Sequence, residues 1–128
     1  MKPIALFIHL CCAVALTSGR IYAIQEPFFD GLGSYTRTVT TTSPEAQRYF
    51  NQGLNFYFGF NHGAAIRAFK AAATLDPACA MAHWGIAIAS GPHINFPLVP
   101  PPAAALAWKE LGIAQELCDQ RGRCPALR

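Results

Sequence analysis

Hydrophobic positions along this chain first form an unbroken run, then scatter, and then recur at helical spacing. Residues 4–16 are apolar except for His9, and small and polar residues follow from Thr17 to Arg20. From Gln25 to Thr42 the chain is rich in Gly, Thr and aromatic residues and shows no helical period, which predicts an extended lead-in lying across the first helix. Ser43-Pro44-Glu45 is a helix start: a hydroxyl that can accept from an orphan amide, a proline suited to the first turn, and an acid at the positive dipole end. That helix should reach about Phe58. Its Tyr49, Phe50, Leu54, Phe56, Tyr57 and Phe58 exceed one face, so two faces should be covered. Gly59 to Gly63 interrupts the pattern, with Asn61 the expected cap of a second helix ending at Leu75, before Asp76-Pro77. In that second helix Arg67, Lys70 and Thr74 share one polar stripe and leave a wide alanine-rich face. Residues 118–128 read as an irregular tail.

Spacing within the first pair of helices is more specific than periodicity. Tyr49, Gly53, Phe56, Ala65, Phe69, Ala72 and Pro77 follow one another at steps of 4, 3, 9, 4, 3 and 5. This series resembles the tetratricopeptide repeat, a helical hairpin in which small residues stand where the helices touch and aromatics fill between them. Gln52 departs from it, since the family usually places leucine there. The family's 34-residue period carries Gln52 onto Ile86 and Gly53 onto Ala87, which implies a third helix over Ala80–Ser90; after a proline-rich loop over 91–102, Ala107, Leu111 and Ala114 repeat the second-helix spacing in a fourth helix to residue 117. From Ala87 to Ala107 is 20 residues against 12 from Gly53 to Ala65, so the second unit holds an insertion of eight. The resemblance implies an all-α fold of about two repeats, a fragment of an alpha-alpha superhelix, with hairpins over 43–77 and 78–117. The chain is also similar to the opening of long exported bacterial tetratricopeptide proteins. Stable solenoids usually need about three repeats. The expectation is therefore a fragment of a longer repeat protein, or a last apolar flank covered by the lead-in, further repeats or self-association.

Charge narrows the function. Between Ile24 and Leu117 five basic residues face six acidic ones, so the net positive charge lies outside the predicted fold, against nucleic-acid binding. Residues 1–23 have the three-part plan of a secretory signal, with a positive start, an apolar run and a possible cut after Ala23. The expected location is exported, periplasmic or extracellular. The alternative is a membrane anchor through residues 4–16, which fall short of the roughly 20 apolar residues of a span. Export would leave Cys79, Cys118 and Cys124, of which the last two could close a small loop.

Catalytic signals are weak. Gly31-Leu32-Gly33-Ser34-Tyr35 has neither a nucleophile elbow's spacing nor a phosphate loop's Lys-Ser or Lys-Thr. Glu45, Glu110 and Glu116 read as helix-surface charges, so the expectation is a non-enzyme without cofactors. A metal or thiol site could be assembled from Cys79 and His83, four apart on one helix, with His93 or His62 from a loop. Pro97-Leu98-Val99-Pro100 fits a polyproline ligand, but Ile94, Phe96, Leu98 and Val99 favour a loop packed over the second hairpin.

The resemblance implies a binding module whose concave groove holds a peptide or helix of a protein partner. Its groove positions carry over to Gln47, Phe50, Leu54, Tyr57 and Phe58 in the first repeat and Met81, Trp84 and Ile88 in the second. Phe50 and Leu54 stand where carboxylate-clamping members have Lys and Asn, so the implied ligand is apolar.

Overall fold

A computed structural model describes residues 26–122, which form four helices and no strand. They are α1 (Pro44–Phe58), α2 (His62–Leu75), α3 (Ala80–Ser90) and α4 (Pro101–Gln120). Successive helices pack on one another, and α1 also touches α3.

Local chemistry sets the boundaries. Ser43 Oγ accepts from the Ala46 amide at 3.1 Å and Asn61 Oδ1 from the Ala64 amide at 3.2 Å, each satisfying an orphan donor. Between the first two helices, Asn61 N donates to Phe56 O at 2.9 Å and Phe60 N to Tyr57 O at 3.0 Å. This is the paired closure that normally places glycine in the left-handed region; here Phe60 holds it at φ 59°. After α2, Asp76 Oδ1 takes the Ala78 amide at 3.1 Å and turns the chain into α3.

The core is built around Phe69 of α2, which is fully buried. Its ring lies against Gly53 of α1 on one side and Gly85 of α3 on another. A Cβ at Gly53 would stand 2.6 Å from the ring, and one at Gly85 2.5 Å. Phe50 closes the space at a centroid distance of 5.4 Å. Ala46, Ala65, Ala68, Ala72 and Ala82 are buried around them and keep the helix axes close. The small residue that receives Phe69 on α3 is thus Gly85, two positions before the Ala87 that the repeat period selects.

The extended lead-in covers α1. Phe28 stacks on Tyr49 at 4.1 Å, the Arg48 guanidinium lies 3.7 Å from the Phe28 ring centre, and Tyr49 donates its hydroxyl to Glu26 O at 2.6 Å. Gln52, which is buried, accepts from Phe29 N at 3.0 Å and donates to Pro27 O at 2.9 Å. Glu26 also pairs with Arg67 of α2 at 2.9 Å, and Thr41 donates to Asp76 at that helix's end.

Three sequence expectations need correction. The irregular tail does not begin at 118: α4 continues to Gln120, because Glu110, Ala114 and Cys118 form one buried stripe at four-residue steps. Gly122, at φ 65°, follows the helix end. The inserted loop spans 91–100, since Pro101 and Pro102 already occupy the first turn of α4. That loop is not packed by its apolar residues, for Ile94 is 84% exposed and Leu98 80%, and Phe96 is exposed as well. It is held by His93, whose ring stacks on His62 at 4.0 Å, and by a tight turn in which Phe96 N donates to His93 O at 2.9 Å. The segment 1–23 and Cys124 lie outside the described residues; Cys118 is disulfide-bonded. Among the described residues no helix is long and apolar enough to cross a membrane.

Crowding at Phe69 leaves no room for anything larger than glycine at either position. Gly53→Ala and Gly85→Ala should each destabilise the fold by about 1–3 kcal/mol in urea melts, despite alanine's better helix propensity. Adding Phe69→Leu to either should cost less than the sum of the single changes, because the clash is then gone.

Candidate functional site

The eight groove positions implied by the resemblance do not share one surface. Phe50 and Leu54 are enclosed in the core, at 0% and 2% exposure, and present nothing to a ligand. The resemblance implies a groove position for both, but their side chains pack into the cluster that holds α2 and its Phe69. Gln47 is engaged by the lead-in, accepting from Val39 N at 2.9 Å and donating to Arg37 O at 2.9 Å. Met81 and Trp84 are half-buried against the core, and exposed Phe58 meets the edge of Tyr35 at 5.2 Å.

Tyr57 and Ile88 are brought together. They line an open cleft of about 340 Å³ with Ala87, Pro92, Trp108 and Leu111. A second apolar cleft, about 440 Å³, adjoins it and is lined by Pro92, Val99, Ala104, Ala105 and Trp108. Trp108 belongs to both and is 77% exposed. Sequence reasoning uses Ala107 and Leu111 only as spacing marks and passes over Trp108. The signal is present: Ala104, Trp108 and Leu111 recur at steps of four and three and widen the apolar face of α4 beyond its buried Ala114 and Cys118.

The residues of the metal alternative are likewise separated. Cys79 caps the start of α3 and His93 follows its end, with 11 helical residues between them, about 16 Å of rise. His83 turns to α4, where its Nδ1 lies 2.7 Å from Glu110 Oε2, and its Nε2 is 3.3 Å from Pro77 O. Glu110 is therefore a buried partner that ties α3 to α4, not the surface charge its sequence context implies. Among the described residues no three His, Cys, Asp or Glu side chains gather as a metal site. Burial pushes the Cys79 thiol above its ordinary value, with nearby Asp76 adding to the rise and the Ala82 and Met81 amides opposing it. A thiol kept protonated is a poor nucleophile.

Compared with known proteins, the chain matches no family model, no curated protein and no solved structure.

Two outcomes follow from this geometry. His83→Ala leaves the Glu110 carboxylate buried without its imidazole and should cost about 2 kcal/mol of stability in denaturant titration. Folded protein at pH 8 should leave Cys79 unlabelled by a disulfide reagent, read by mass spectrometry of its peptide, while urea exposes it to full labelling. The sign of the linkage is also fixed: folded Cys79 keeps its proton where the unfolded thiol has lost it, so its contribution to stability falls as pH rises beyond the ordinary value of 9.0.

Proposed function

We propose that the chain is a non-catalytic interaction module, made of two tetratricopeptide-like hairpins, that binds an apolar peptide or helix of a protein partner. The supporting observation is Trp108, an exposed aromatic standing between two adjoining apolar clefts. Large apolar side chains left in water beside concave apolar surface are the usual mark of a binding face, and tryptophan is enriched among the residues that dominate binding energy. Exposed Ile94 and Leu98 add to the apolar surface of the preceding loop. On this reading the binding face lies at the α3–α4 hairpin and not along α1, where the resemblance first puts it. Tyr57 and Ile88 remain part of it. The reading includes action outside the cytoplasm, in a periplasmic or extracellular setting, and it assigns no reaction, cofactor or nucleic acid.

The test is selection from a displayed library of random dodecapeptides against folded protein. Enriched peptides should carry Leu, Phe or Trp, and binding should shift Trp108 emission to the blue in a Trp84→Phe background. Trp108→Ser should weaken the selected peptides at least tenfold. Enrichment of charged peptides, or affinity indifferent to Trp108→Ser, would sink the proposal.

A further inference from the structure

Away from the Trp108 clefts, α1 carries a row of side-chain amides at steps of four: Gln47, Asn51 and Asn55. Each bonds to the backbone of the lead-in, and to every second residue of it. Asn55 Nδ2 donates to Tyr35 O at 2.9 Å, and Asn51 Oδ1 accepts from Arg37 N at 3.1 Å. Gln47 closes the series, donating to Arg37 O at 2.9 Å and accepting from Val39 N at 2.9 Å. The amides also order one another, since Gln47 Nε2 bonds to Asn51 Oδ1 at 3.0 Å and Asn55 Nδ2 to Asn51 O at 2.8 Å.

The match of steps has a simple cause. Four helical residues rise about 6 Å, and two extended residues rise about 6.6 Å. An antiparallel extended chain therefore meets successive amides without bending, whereas a helical or turned segment would not. Side chains take little part in this hold. Ser34 to Thr38 are all exposed, and only Val39 is buried. A surface that grips backbone donors and acceptors selects little of the sequence it grips beyond the one buried position.

We infer that the amide row of α1 is a second peptide-binding surface, occupied in cis by residues 35–39, and that an extended peptide of another protein can take the same place. The chemistry of that peptide follows from the contacts. It must run antiparallel to α1, must offer N–H groups at the Arg37 and Val39 positions and so carry no proline there, and needs an apolar residue at the buried Val39 position. The lead-in then acts as a tethered competitor. A tethered segment competes at an effective concentration in the millimolar range, so a partner opens the surface by matching that concentration, by making further contacts, or after release of the arm.

The experiment uses the full chain and a fluorescent peptide copying residues 33–41. Replacing Arg37→Pro and Val39→Pro together removes both cis donors, and this variant should bind the peptide at least tenfold more tightly than the unaltered chain by anisotropy. Adding Asn51→Ala and Asn55→Ala should abolish the gain, and a peptide with proline at the same two positions should not bind. Absence of binding to a double-proline variant with an unaltered helical circular dichroism spectrum overturns the inference. So does equal binding of the proline-bearing peptide. If the double-proline variant loses its helical spectrum, hydrogen exchange on the unaltered chain decides: peptide at about 10 mM, above the effective concentration of the tethered arm, should accelerate exchange of the Arg37 and Val39 amides, and unchanged rates overturn the inference.

Discussion

A buried phenylalanine ring needs room, and Phe69 finds it only because two neighbouring helices each omit a side chain at the point of contact. Gly53 and Gly85 bring α1 and α3 against the same ring, and that shared contact holds three helices in one packing unit. The alanines around it extend the close approach along α2. With α3 fixed by this ring, His83 stands at a set place along that helix and can meet Glu110 of α4. The fourth helix is thus joined to the core through a polar link as well as through Leu106, which packs against the core cluster.

The same demand for close packing explains the unusual polarity of α1. A helix at the edge of a stack has an outer face that must be covered. Here the cover is extended chain and not another helix. Extended chain brings unpaired amides and carbonyls that cannot be left without partners next to a core. Gln52 meets Pro27 and Phe29 for that reason, and Gln47, Asn51 and Asn55 meet backbone groups of Tyr35, Arg37 and Val39. Phe28 and Val39 supply the apolar part of the cover. On the last helix, α4, Trp108 stands exposed instead.

Much of the helical layout is legible in the sequence because its signals are local. Ser43-Pro44, Asn61 and Asp76-Pro77 each act within one turn, and they mark helix ends in the sequence as they do in the structure. The third helix, Ala80–Ser90, also falls where the pattern places it. What is illegible depends on distant partners. Whether Phe50 and Leu54 line a groove or fill a core is decided by α2 and Phe69, which periodicity in α1 does not contain. Glu110 looks like any helix-surface acid until His83, 27 residues away, is placed beside it. The loop after α3 misleads because its apolar residues imply burial, while its anchor is the imidazole of His93 stacked on His62. Gln52 is visible as a departure from the repeat, but its reason lies in Pro27 and Phe29.

The alternation of contacts along residues 35–39 behaves as a ruler with divisions of two residues. Sliding the arm by one residue would present its groups to the opposite side and leave the amides facing nothing; sliding it by two would restore every bond but displace Val39 from its buried place. Length changes within this arm are therefore not equivalent. Between Tyr35 and Val39 an inserted single residue breaks the correspondence, while a pair can be absorbed at one step with the rest intact. A change of two residues keeps the bonds in step, provided an apolar residue still stands at the buried position that Val39 holds.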